Sequence, residues 1–94
     1  MDTRALIDRA ERSNPHAQFH IGYMLQWGKG TIAKNVPLAV NWYRKSANSG
    51  HANAQCNLGV CLYYGQGIDK NEEEAALWFM KSAEQGHAKA QVRT

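Results

Sequence analysis

The sequence predicts an all-α fold, a repeat array with two helices to each repeat, and three observations lead there. The segment Gly86-His87-Ala88-Lys89-Ala90-Gln91 restates Gly50-His51-Ala52-Asn53-Ala54-Gln55 at a spacing of 36 residues. A fixed period of that length marks stacked supersecondary units. Glycines punctuate the period at matching places, as Gly28-Lys29-Gly30 and Gly65-Gln66-Gly67, and again as Gly50 and Gly86. Between them, apolar residues recur three and four apart, the spacing of an amphipathic helix.

The composition bounds what such an array can be. A chain of 94 residues forms at most one domain, near the lower limit for an adequate core. An apolar share of 44% and a charged share of 20% belong to a globular protein and argue against disorder. A net charge of +3 falls short of a nucleic-acid footprint. Its distribution is uneven. No acidic residue lies between Ser13 and Ile68, where Lys29, Lys34, Arg44 and Lys45 stand, whereas both signs mix from Asp69 onward. A solvated surface explains this pattern, and a partner of acidic character is the sharper alternative. The N-terminus has no apolar run of signal-peptide length, and nothing approaches the roughly 20 apolar residues of a membrane span. A soluble cytoplasmic protein is the default expectation. The stop early in a repeat raises the alternative of a piece of a longer protein.

Residues 1–13 read as a short helix capped by Asp2 or Thr3, with Ala5, Leu6 and Ala10 facing neighbours. Ala10 aligns with Ala47 and Ala83, and Ser13 aligns with Gly50 and Gly86, so this helix is read as a degenerate half repeat that caps the array. Residues 14–50 make the first full repeat. Its first helix is expected over about 15–27, where Pro15 has no helical bond to lose, and Gly28-Lys29-Gly30 ends it. Thr31 reads as a one-residue loop insertion. The second helix is expected over about 36–48, capped by Asn35. Residues 51–86 repeat the scheme, with Asn71 as cap and Glu72, Glu73 and Glu74 at the positive end of the helix dipole. Gly50 and Gly86 sit where helices end in the left-handed conformation. Gly22 and Gly59 lie inside helices, at a cost of about 1 kcal/mol each, and close helix approach beneath Trp42 and Trp78 is the expected reason. Residues 87–94 open a third repeat whose helix is only about 10 Å long. It covers its neighbour in part, and the array is expected to have an open apolar end.

Candidate sites follow from helical spacing. His16, His20, Tyr23 and Trp27 fall on one face of the first helix, and their equivalents in the next repeat are Asn53, Asn57, Val60 and Tyr64. Ala17, Ile21, Met24 and Leu25, with Ala54, Leu58, Cys61 and Leu62, fall on the adjacent face and are expected in the core. Amides and imidazoles can bond a peptide backbone while aromatics anchor side chains, so the first set suits a peptide or protein partner. The alternative is that Trp27 and Tyr64 seal helix packing. His16 and His20 have the spacing of a shared zinc ligand pair, but Ala17-Gln18-Phe19 lies between them and no carboxylate or third ligand is near in sequence, so no metal is expected. Cys56 and Cys61 stand five apart on one helix, about 7.5 Å along its axis, outside disulfide range. Two free thiols fit a reducing compartment. Gly28-Lys29-Gly30-Thr31 lacks the spacer and the strand of a phosphate loop, and reads as a helix terminator.

The residues A-x-A-Q-x-x-L-G, then Y-Y-G-x-G-I, then N-x-x-x-A-x-x-W-F-x-K-S-A-E-Q-G-H resemble the Sel1-like repeat, a relative of the tetratricopeptide repeat. The resemblance spans about 80 of the residues, as two full copies and two partial ones. It implies a right-handed α/α solenoid of antiparallel helix pairs whose first helices line a concave binding surface. It also implies scaffold or adaptor work in multiprotein assemblies such as signalling, protein quality control or cell-wall enzyme regulation. Residues 1–13 lack the signature, and the chain ends before a third pair is complete. In the cysteine-rich branch of the family disulfides staple the helices; the aligned positions here hold Ala47 and Gln55.

A scaffold binding a peptide or protein partner is therefore the expected function, with no cofactor. Head-to-tail or helix-exchanged homo-oligomers through the open ends are the alternative. The cysteine-rich relatives, linked with β-lactam binding and hydrolysis, raise an enzyme, but the chain has no Ser-x-x-Lys and no nucleophile–base pair. Nucleic-acid binding is not expected either. Pentatricopeptide repeats have a similar period but lack the Gly-x-Gly and Trp-aromatic signature, and the basic residues here are dispersed.

Overall fold

The computed structural model describes residues 14–86, which form four α-helices and, among the described residues, no strand. These are α1 (Pro15–Trp27), α2 (Val36–Asn48), α3 (Ala52–Tyr64) and α4 (Glu72–Glu84), each of 13 residues. The expectations for residues 1–13 and 87–94 lie outside the described residues.

Each helix begins on a side chain that accepts an orphan backbone N–H. Asn14 takes that of Ala17 at 3.2 Å, Asn35 that of Leu38 at 3.1 Å and Asn71 that of Glu74 at 3.0 Å. At α3 the cap is the imidazole of His51, whose Nδ1 accepts from Ala54 at 3.2 Å. The first helix of each pair ends on a left-handed glycine, Gly28 or Gly65, at φ 68° and 70°. That conformation carries little penalty without a Cβ. The chain then turns back, and the Asn35 and Asn71 N–H groups close the loops onto Leu25 O and Leu62 O, both at 2.8 Å. Ile32 and Ile68 tuck against the core from equivalent loop positions, leaving Thr31 exposed as the extra residue.

The helices of each pair run antiparallel, and a buried serine records it. Ser46, late in α2, donates its hydroxyl to Pro15 O at 2.7 Å, and Ser82 in α4 donates to Ala52 O at 2.9 Å. One core runs through both pairs. Ala17, Ile21 and Leu25 meet Ala39, Tyr43 and Ala47; beyond them lie Ala54, Leu58 and Leu62, then Ala75 and Phe79. The fold is therefore an all-α solenoid of helix pairs.

The interior glycines mark close approach, but the aromatic above them differs from the expected one. A Cβ on Gly22 would lie 2.7 Å from the Tyr43 ring, and one on Gly59 would lie 2.8 Å from the Phe79 ring. Trp42 and Trp78 each precede that ring by one residue. A step of one residue turns a side chain by roughly 100° about the helix axis. It carries the tryptophans away from the first helix, to where Lys45 Nζ and Lys81 Nζ lie 4.3 and 4.7 Å from their ring centroids.

Candidate functional site

The face of α1 carries an aromatic ladder. Phe19 and Tyr23 lie one turn apart with ring centroids at 6.4 Å, and Tyr23 and Trp27 are spaced likewise. At its lower end the His51 ring stacks on Phe19 at 4.9 Å and meets the edge of His16 at 4.7 Å, so the second repeat's cap joins the first repeat's face. Because His51 Nδ1 accepts from the backbone, a neutral ring carries its proton on Nε2. That nitrogen faces His16 Nδ1 at 3.2 Å. His16 thus pairs with His51 and not with His20, four residues away on its own helix. Among the described residues no group of three or more His, Cys, Asp or Glu could hold a metal ion.

Of the residues expected on this surface, His16, His20, Tyr23, Trp27, Asn53 and Tyr64 are exposed, while Asn57 and Val60 are half-buried. Val60 packs on the core. Asn57 lies beside the Tyr43 phenol, whose pKa burial pushes far above its ordinary value while the Asn57 side chain opposes the rise. Trp27 and Tyr64, the last residues of α1 and α3, are 57% and 56% exposed, too open to be seals of helix packing. Of the adjacent face, all the expected core residues are buried except Met24, which is half-buried. Phe19 and His51 are the members that helical spacing missed. His51 aligns with the cap Asn14, and that equivalence was the available signal.

The second helices carry a different chemistry. Glu74 Oε2 accepts from the Trp78 indole N–H at 3.0 Å and from Arg44 of the preceding pair at 2.9 Å. The Trp78 hydrogen bond foremost, and Arg44 next, hold its carboxyl below the usual carboxylate range. On α2, Leu38, Asn41, Trp42, Arg44, Lys45 and Asn48 line an open groove of about 390 Å³. Neither surface offers an activated nucleophile. Both cysteines are buried and unbridged, and burial pushes the Cys61 thiol up to about 11, which keeps it protonated at neutral pH. Among the described residues no helix is long and apolar enough to cross a membrane.

Comparison with known proteins accords with this architecture. The Sel1 repeat family model matches residues 15–51 and 52–87. A Sel1 repeat protein from Oxalobacter formigenes superposes with a TM-score of 0.83 at 48% identity, over 87% of this chain and 33% of that one. The protein c5321, a protective antigen present in uropathogenic Escherichia coli strains and displaying an SLR fold, gives 0.85 at 43% identity, over 94% and 19%. The chain thus spans a third or less of the length of these two proteins. Helicobacter pylori cysteine rich protein B gives 0.91 at 24% identity, over 97% and 68%, a likeness of fold. Sel1-repeat proteins are generally protein-interaction scaffolds.

Proposed function

The chain belongs to the Sel1 repeat family, and we propose that it is a scaffold module holding a peptide or protein partner along the face of its first helices. His16, His20, Tyr23 and Trp27 of α1 and Asn53, Asn57, Val60 and Tyr64 of α3 form that surface. The observation that carries this reading is the pair Trp27 and Tyr64. They are repeat equivalents, both large and aromatic, and both left more than half exposed at the same helix ends. Aromatic side chains lose little conformational freedom on docking and bury large areas, which is why they dominate interface energetics. Tyr23, one turn earlier, lies beside the Trp27 ring at 6.4 Å between centroids, which reduces the freedom Trp27 has to lose on docking. The half-buried Asn57 and Val60 serve as the floor between the exposed rows.

Affinity capture from a native-source extract tests the reading, comparing the parent with a Trp27→Ala/Tyr64→Ala variant of unchanged helicity. A protein held by the parent and lost by the variant places the partner on this face. Equal retention by both moves the site to the second helices or the loops. Capture of this chain alone points to pairing through the array ends instead.

A further inference from the structure

The second helices of the two repeats share a tryptophan and a lysine lying over its ring, yet differ in one partner. At Trp78 the indole N–H donates to Glu74, one turn earlier on the same helix. At Trp42 the residue one turn earlier is Leu38, which stands 36 positions before Glu74 and accepts nothing. Among the described residues Trp42 Nε1 has no acceptor, although its ring keeps the same setting under Lys45. Trp42 is also one of the residues that line the open groove, with Leu38, Lys45 and their neighbours. An indole nitrogen can only donate, and its strongest partners are charged oxygens.

We propose that this groove binds a carboxylate side chain from an acidic segment of a protein partner, which takes at Trp42 the place that Glu74 takes at Trp78. Charge complementarity supports that occupant. The groove contributes Arg44 and Lys45, and the chain has no acidic residue from Asn14 to Ile68. Arg44 already meets a carboxylate at Glu74, so the incoming acid adds to an existing alternation of charge. Leu38, 41% exposed, gives an apolar residue beside the acid a place to rest. The surface lies on the second helices and is independent of the first-helix face proposed above.

The three tryptophans make the test specific, because Trp27, Trp42 and Trp78 report the first-helix face, the groove and an internal control. A ¹⁵N-labelled chain is titrated with capped hexaglutamate, and with capped hexaglutamine as the neutral comparison, while the indole N–H resonances are followed. The expected result is a saturable shift of Trp42 alone, with hexaglutamate only, weakening as salt rises. Leu38→Glu, which supplies the carboxylate from within the helix, is expected to shift Trp42 without peptide and to weaken hexaglutamate binding about tenfold. Lys45→Gln, at an exposed position, is expected to weaken it about threefold. An unmoved Trp42, an equal response to hexaglutamine, or full binding by both variants overturns the proposal. A shift of Trp27 with Trp42 silent also overturns it, while leaving the first-helix reading intact.

Discussion

The same motif does different work in the two repeats. In the first, the ring over the interior glycine is Tyr43, fully buried, which meets Gly22 and Phe19 of α1 on one side and lies near Asn57 and Cys61 of α3 on the other. Its hydroxyl donates to Gln26 Oε1 at 2.6 Å. In the second, the ring is Phe79, 7% exposed, with no hydroxyl to satisfy, and the position equivalent to Gln26 holds Tyr63. The loops differ in the same way. Gly67 of the second repeat rests on Val36 of the first, whereas Gly30 faces open space. A repeat residue is thus set partly by its own hairpin and partly by the neighbour against which it packs. Equivalent positions in the two copies need not be equal in energy.

The loop glycines offer the largest test. Both Gly30 and Gly67 have positive φ, at 62° and 71°, so alanine at either costs about 1 kcal/mol in backbone strain. At Gly67 the new Cβ would also lie 2.7 Å from Val36 Cγ1 and 2.8 Å from the Val36 carbonyl, and backbone cannot step aside cheaply. Gly67→Ala is therefore expected to cost about 3 kcal/mol and Gly30→Ala about 1 kcal/mol. Urea unfolding of the two variants side by side measures the difference. Equal midpoints would show that the contact with Val36 carries no energy and that the loops are equivalent after all.

The interior glycines give a smaller contrast. Alanine gains about 1 kcal/mol of helix propensity at either site, against about 1–3 kcal/mol for overpacking. Tyr43 is confined by two helices and by its bond to Gln26, while Phe79 has no hydroxyl to hold its ring in place. Gly22→Ala is expected to destabilise by about 2 kcal/mol and Gly59→Ala by about 1 kcal/mol or less, read as a difference in thermal midpoint of several degrees for a chain this small. Adding Tyr43→Phe to Gly22→Ala sharpens the comparison. If the hydrogen bond to Gln26 is what pins the ring, the double variant costs less than the sum of the singles.

Much of this was legible in the sequence because the signals were local. Asn35 as a cap, and glycines where helices end, bracket α1 and α2, and Asn71 marks the start of α4. The split between exposed and core faces also followed from helical spacing, with Asn57, Val60 and Met24 falling between. What failed to show is what depends on the angle around a helix or on a neighbouring repeat. The recurrence of Trp-aromatic marks the place of the pair but not which ring turns inward, so the rings over the glycines are Tyr43 and Phe79 where Trp42 and Trp78 are expected. The glutamates at the start of α4 suit the helix dipole, yet Glu74 also reaches Arg44, 30 residues earlier. That contact needs the lateral register of two helices, which no pattern along one of them contains. Ser46 and Ser82 did carry a signal, since a serine recurring beside core alanines inside a helix needs an acceptor for its hydroxyl.

The link through Glu74 is the finest test of the comparison, since only the second repeat has it. Arg44 and Glu74 are each about one-third exposed, so the pair contributes about 0.5 kcal/mol, lost in Arg44→Ala and weakened by salt. Its pH dependence has a definite sign. Folding lowers the Glu74 pKa, so the native state releases this proton more readily than the unfolded chain does. The contribution is complete above the ordinary carboxylate range and disappears as the pH falls through the lowered folded value. Glu74→Gln is expected to flatten the fall of stability in that acid window while changing little at pH 7 beyond the loss of the ion pair. Chemical unfolding at a series of pH values measures both slopes. Two parallel curves would assign the acid sensitivity to groups other than Glu74. The Glu74 bridge would then be a contact of the second repeat without energetic weight, and the two Trp–Lys faces would differ in geometry alone.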